Sequence, residues 1–232
     1  MKTFTGTRTE AVHAAADRIS QIVGEKRRAV LALAAGRTME PLFEELARRC
    51  EAGKLSLRGC RVFTVTEYVN APQALRCRTM LETALIEKTD LPAENCAFLT
   101  EENLDGYDAL IEAAGGLDLA VLGLGDNAHI GFNEPATPFD SLSHRQKLTP
   151  ATRRQKAEAF GGEAQVPEYG LTMGIQTLVG AREILLLAFG EEKAEAVFKT
   201  LYGRNDSAVP AAFLQIPSRV TVYLDGEAAA KL

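Results

Sequence analysis

The sequence predicts an α/β fold: a single Rossmann-like domain over residues 1–232, with a mostly parallel sheet carrying helices on both faces. Short apolar runs rich in branched residues end at or near glycine, as strands buried on both sides do. Longer amphipathic stretches alternate with them, the pattern of βα units. No repeat of roughly twenty to fifty residues and no low-complexity tract divides the chain.

Residues 29–34 open the series as a strand of small and branched apolar side chains, followed by a helix over 38–50 with apolar residues at helical spacing. Residues 61–65 form the next strand. A helix over 104–114 leads into a buried strand, 117–122, which empties into a glycine-bracketed loop. The stretch 133–170 is the least regular, rich in Pro, Gly, Ser, Thr and charge, and reads as a lid over 135–170 or as a plain surface connection. A strand over 183–189, a helix over 191–202 and a strand over 219–224 complete the fold.

Hydrophobic residues make up 46% and charged residues 25%, the balance of a folded soluble body. A net charge of -5 and a pI near 5.4 exclude the basic surface that counterion release on nucleic acid needs. A small anion remains compatible, because a phosphate monoester needs only a local cradle of N–H groups and one or two cations. Cys50, Cys60, Cys77 and Cys96 show neither a CxxC pair nor a nearby His, so no metal or redox site is expected and they read as incidental thiols. The polar N-terminus lacks a signal-peptide core, and no apolar run approaches the roughly 20 residues that cross a bilayer; the cytoplasm is the expected compartment, without a membrane partner.

In open α/β sheets ligands bind beyond the carboxyl ends of the strands, so the residues after each strand are the candidates for chemistry. Gly36-Arg37-Thr38 follows the first strand and opens a helix. Glycine allows close backbone approach to a phosphate, the helix N-terminus presents N–H groups, and Arg37 and Thr38 offer side-chain donors; a plain N-cap is the alternative. Lys193 lies in the first turn after Gly190, where a cation is unfavourable unless an anion is near. After the central strand, Asp126, Asn127, His129 and Glu134 crowd one loop. His129 titrates near neutrality and suits proton transfer, Glu134 orients it, and the competing reading is a hydrogen-bonded structural histidine. Thr66-Glu67-Tyr68 ends another strand, with Glu67 either a second acid/base or a solvated charge. His13 and His144 lack such company and read as surface residues.

GLGDNAHIGFNEP resembles the GxGxDGHIAFNEP segment of the glucosamine-6-phosphate deaminase/isomerase family, and its Phe-Asn-Glu-Pro ending separates that family from the related 6-phosphogluconolactonases. VLALAAGRTMEPLFEEL resembles the family's phosphate-loop strand and helix, VFTVTEYV its second site segment, and VPEYGLTMGIQTLVGAREILLLAFGEEKAEAV its later strand and phosphate lysine. VPAAFLQ resembles its C-terminal helix; LDLAVLGLG and SAVPAAFL look at least as close to the galactosamine-6-phosphate branch. The resemblance implies conversion of a 2-amino-2-deoxyhexose 6-phosphate to a ketose phosphate and ammonia, without metal or organic cofactor. The expected partner is a small sugar phosphate, and a homo-oligomer is compatible. By the same resemblance His129 assists ring opening, Glu134 tunes it, and Gly36, Arg37, Thr38 and Lys193 hold phosphate.

Several positions depart from the family pattern. Thr66 stands where the family has the aspartate expected to act as general base, and a hydroxyl is not appreciably ionised near neutral pH. Asn127 replaces a second aspartate, with Asp126 displaced by one position; Ala128 and Arg37 replace glycines; and the lid arginine falls near Glu158. These departures predict either an enzyme in which Glu67 or Asp126 supplies the lost carboxylate, or a sensor that binds a sugar phosphate without turnover. Lactone hydrolysis, which needs no C2 proton abstraction, is the third expectation.

Overall fold

The computed structural model describes all 232 residues. Its main sheet is wholly parallel, in the order β1 (Lys2–Gly6), β10 (Val220–Asp225), β9 (Ile184–Ala188), β6 (Leu119–Gly123), β2 (Val30–Leu33), β3 (Arg61–Thr64), β5 (Cys96–Ala97). Side chains alternate across each strand. Leu31, Leu33, Leu119, Val121, Leu185 and Leu187 enter one core with α1 (Arg8–Glu25), α2 (Glu40–Glu51) and α3 (Cys77–Ala84). Val30, Ala32, Ala120, Leu122, Ile184 and Leu186 enter the other with α4 (Tyr107–Ala113), α6 (Ile175–Val179) and α7 (Ala194–Tyr202). With both faces covered, β9 is buried along its whole length, which explains its unbroken apolar run. Truncating any of these leucines to alanine costs about 2–5 kcal/mol by cavity formation.

The strands expected at 29–34, 61–65, 183–189 and 219–224 lie on β2, β3, β9 and β10; that expected at 117–122 begins two residues later, at Leu119. The first of the skipped pair, Leu117, packs into the core, and the second, Asp118, keeps its N–H on Val30 O while its carboxylate accepts from Val30 N and Lys26 Nζ, so a side chain takes the place of one ladder acceptor there. The helix expected at 38–50 starts at Glu40.

A second, antiparallel sheet of β4 (Thr66–Tyr68), β8 (Tyr169–Thr172) and β7 (His144–Lys147) stands apart from the first. Between β7 and β8 lies α5 (Pro150–Phe160). The stretch read as irregular therefore contains a helix, with Thr149 as N-cap, Pro150 at its first position and left-handed Gly161 ending it. No helix is long and apolar enough to cross a membrane.

Candidate active site

After β2 the chain turns toward β3, and after β6 it proceeds to β9 on the opposite side, so the two adjacent loops diverge and leave a crevice at their carboxyl ends. The cavity there encloses about 610 Å³. Its walls are Gly36–Met39 after β2, Gly123–Asp126 and His129 after β6, Lys193 after β9, Thr66 and Tyr68 on β4, Cys77 and Met80 on α3, and Gln155, Lys156 and Phe160 on α5.

His129 is buried, and its Nδ1 lies 2.6 Å from Asn127 Oδ1. Asn127 Nδ2 donates to Glu134 Oε2 at 2.8 Å. An ionised carboxylate only accepts, so it fixes which end of the Asn127 amide faces it; the amide oxygen must then face the imidazole, and Nδ1 must carry the proton. The unprotonated Nε2 is thereby left for the cavity. Glu134 is itself held by Thr149 N at 3.0 Å and Thr149 Oγ1 at 3.2 Å, and Thr152 Oγ1 lies 3.3 Å from His129 Nδ1. Burial pulls the imidazole down to about 4; Glu134, 3.8 Å from Nδ1, and Asp126 oppose this, while Lys156 and Lys193 add to it. The ring is thus a neutral base at physiological pH.

The imidazole packs directly onto the backbone of Gly125, where a Cβ would stand 2.2 Å from its Cε1 and Nδ1. Glycine at this position makes room for the ring. Ala128, in the left-handed region at φ 61°, closes the turn with its N–H on Gly125 O. That conformation accounts for the glycine in the family pattern and strains the alanine here.

Cations gather around the same space. Lys193 is buried and ion-paired with Asp126, which also accepts from Gln155 Nε2 at 2.7 Å. Lys156 is half-buried, and burial followed by the Lys193 charge lowers its pKa. Gly36 adopts φ 140°, and its N–H donates to Met80 Sδ, a weak acceptor. The N-terminus of α2 beside it carries no side-chain cap, which leaves its first-turn N–H groups without a side-chain acceptor, and Thr38 and Met39 line the crevice wall. Arg37 turns outward to pair with Glu158 at 2.7 Å, both exposed, which joins the loop after β2 to α5.

The crevice therefore brings together Gly36, Arg37, Thr38, Thr66, Asp126, His129 and Lys193, with Asn127 and Glu134 directly behind the imidazole. Glu67 is the exception. Its Oε1 accepts from Tyr68 N and Cys77 N and its Oε2 from Arg78 N, so the buried carboxylate caps α3 rather than facing the crevice, and it does not replace the family's base. Thr66 Oγ1 lies 3.5 Å from Cys77 Sγ, and burial pushes that thiol up to about 12. Lys156 went unread in the sequence, although Thr149-Pro150 and the spacing of Thr152, Gln155, Lys156 and Ala159 mark a helix face. His13 is exposed, and His144 Nδ1 contacts the Leu142 carbonyl, both away from the crevice. No group of three or more His, Cys, Asp or Glu side chains is arranged to hold a metal ion.

The sequence pattern of the family described as glucosamine-6-phosphate isomerases/6-phosphogluconolactonase matches residues 6–223. The chain belongs to this family. A glucosamine-6-phosphate deaminase of Lysinibacillus sphaericus is 37% identical, covering 95% of this chain and 96% of the relative. One of Rhodopirellula baltica is 42% identical over 92% of this chain and 88% of its own. Among solved structures, a monomeric glucosamine-6-phosphate deaminase superposes with a TM-score of 0.96 at 33% identity over 100% of both chains. The 6-phosphogluconolactonase of Thermotoga maritima superposes at 0.76 with 20% identity over 97% of this chain and 98% of its own, a likeness of fold. Within the crevice of this chain, Thr66 lies on the wall, and from α5 Lys156 lines the cavity while Glu158 pairs with Arg37 at its exposed edge.

Proposed function

We propose that the protein converts a 2-amino-2-deoxyhexose 6-phosphate, glucosamine or galactosamine, into a ketose phosphate and ammonia. The supporting observation is the neutral imidazole of His129: Nδ1 is held by Asn127 and Glu134, and Nε2 is left to a cavity that also holds an anion cradle. Nε2 takes the proton of the anomeric hydroxyl and returns it to the ring oxygen, which opens the sugar to its aldehyde. The phosphate docks on the N–H groups of Gly36–Thr38 and on Lys193, exchanging places with Asp126 as the lysine's partner. A proton then passes from C2 to C1, and water replaces the nitrogen of the resulting iminium as ammonia leaves. Every step is a proton transfer, an addition of water or loss of ammonia, so the chemistry calls for no metal or organic cofactor.

We place this activity in the cytoplasm, with a small sugar phosphate as partner, and assign the 135–170 segment with α5 as the cover of the crevice. The test is release of ammonia from glucosamine 6-phosphate and galactosamine 6-phosphate by the purified protein, with His129→Ala as control. No ammonia from either, with binding still visible by calorimetry, would replace the enzyme by a sensor. Lactone hydrolysis is the second reading, favoured by Thr66 because activation of water by His129 needs no carboxylate there; hydrolysis of 6-phosphogluconolactone without ammonia release would establish it.

A further inference from the structure

Carrying a proton from C2 to C1 needs a base, and the position that supplies a carboxylate in the family is Thr66 here. We propose that the amine of Lys156 is that base, an inference that rests on the deaminase reading above.

The placement is geometric. Thr152, Gln155, Lys156 and Ala159 recur at helical spacing along α5, and the last three line the cavity. Thr152, one turn before Lys156, reaches within 3.3 Å of His129 Nδ1. Residues four apart on a helix face lie about 5–6 Å from each other. His129 works at O1 and the ring oxygen, so C1 and C2 fall within a long side chain's reach from the next turn of α5.

Partner exclusion points the same way. Lys193 is paired with Asp126 and Arg37 with Glu158, whereas Lys156 makes no ion pair within 4.0 Å and no hydrogen bond. Among the other candidates, Glu67 caps α3 and the Cys77 thiol stays protonated, while Asp126, which the phosphate displaces from Lys193, keeps Gln155 Nε2 on its Oδ1. The charged and titratable groups facing Lys156 are Lys193, Cys77, Asp126, Arg37 and the imidazole of His129; burial and the two cations favour its neutral form. A desolvated lysine beside another cation is one way to obtain an amine that is basic and unprotonated near neutral pH.

The step balances. Nζ takes the C2 proton, the C2–H electron pair becomes the C1–C2 π bond, and the carbonyl π pair moves to O1. O1 receives its proton from the substrate's own C2 ammonium, relayed through His129 Nε2. The nitrogen lone pair then forms the C2 iminium while the C1–C2 π pair takes back the proton from Nζ at C1. Lys156 ends as it began.

Three rates test this on the full-length protein with an amino-sugar 6-phosphate: anomer interconversion, exchange of the C2 hydrogen with D2O, and ammonia release. Lys156→Met is expected to keep the wild-type unfolding temperature and anomer interconversion while exchange and ammonia release fall about 10²–10⁴-fold. Lys156→Arg, which keeps the charge but not a usable base, should be equally slow. Thr66→Asp introduced into Lys156→Met should recover exchange. The wild-type rate should rise with pH through an ionisation below the ordinary lysine value of about 10.4, a limb absent from the double variant. Near-wild-type turnover by Lys156→Arg would reduce Lys156 to an anion contact, and undiminished exchange in Lys156→Met would place the base elsewhere. Either result overturns the proposal and leaves the deaminase reading standing; a wild-type protein that neither interconverts anomers nor releases ammonia overturns both.

Discussion

Glu134→Gln is the substitution that most directly probes how His129 is held. The carboxylate stands 3.8 Å from Nδ1 and fixes the Asn127 amide through a 2.8 Å bond. At an effective dielectric of about 20, a unit charge at that distance is worth about 4 kcal/mol to the imidazolium, equivalent to roughly three pKa units. If about half reaches the transition state, as Brønsted behaviour suggests, proton transfer slows ~30-fold with the tautomer unchanged. The larger risk is the tautomer itself. Glutamine can present its own N–H to Asn127, whose amide then flips and offers Nδ2 to Nδ1, leaving Nε2 protonated and turned toward substrate. In serine proteases a tautomer error of this kind costs about 10⁴-fold. The expected outcome is therefore a loss between ~30-fold and ~10⁴-fold in anomer interconversion and ammonia release, with 15N chemical shifts of His129 reporting which nitrogen holds the proton. A variant within threefold of wild type, with its tautomer unchanged, would refute the relay.

Gly125→Ala places a methyl 2.2 Å from the imidazole, so it should displace the ring, cost about 1–3 kcal/mol in denaturant unfolding and lower turnover at least ~100-fold. Glu67→Ala should lower stability by about 1–3 kcal/mol, because it strips the buried N–H of Cys77 and the partly buried N–H of Arg78 of their acceptor; an unchanged unfolding midpoint would count against the capping role. Lys193→Met should raise KM for a phosphosugar more than it lowers kcat; equal KM in the two proteins would move the phosphate elsewhere. The folded His129 binds its proton near 4, below the unfolded value near 6.5, so the unfolded chain holds more protons between those limits. Stability should consequently fall as pH drops from about 6.5 to about 4, by up to about 3 kcal/mol, and His129→Gln should flatten that part of the curve.

The central strands were legible because parallel strands covered on both faces must be continuous apolar runs, as Leu119–Gly123 and Ile184–Ala188 are. The N-terminal strand and helix escaped notice although the signal was present: Thr7 and Glu10 form a capping box, and Val12, Ala15, Ala16, Ile19, Ile22 and Val23 repeat at helical spacing. The antiparallel β4-β8-β7 sheet had no such signature, since its short strands are exposed in part and paired across long stretches of chain. His129, Asn127 and Glu134 were visible together because one loop carries all of them. Glu67 was read as a charge awaiting chemistry because its acceptors' partners are backbone N–H groups about ten residues on, which no side-chain pattern reveals. Lys156 was hidden because α5 meets the crevice only through tertiary packing.

The bond from Thr149 N to Glu134, with Thr152 N donating to Thr149 Oγ1, has an experimental use beyond chemistry. Those two amides sit at the first turn of α5 yet are tied to the carboxylate behind the imidazole, so their deuterium uptake gives a ligand-independent gauge of whether the proton relay is assembled. A population in which they exchange as freely as a frayed helix end has lost the alignment of His129 as well, and its inactive fraction could be counted by mass spectrometry before any sugar is added.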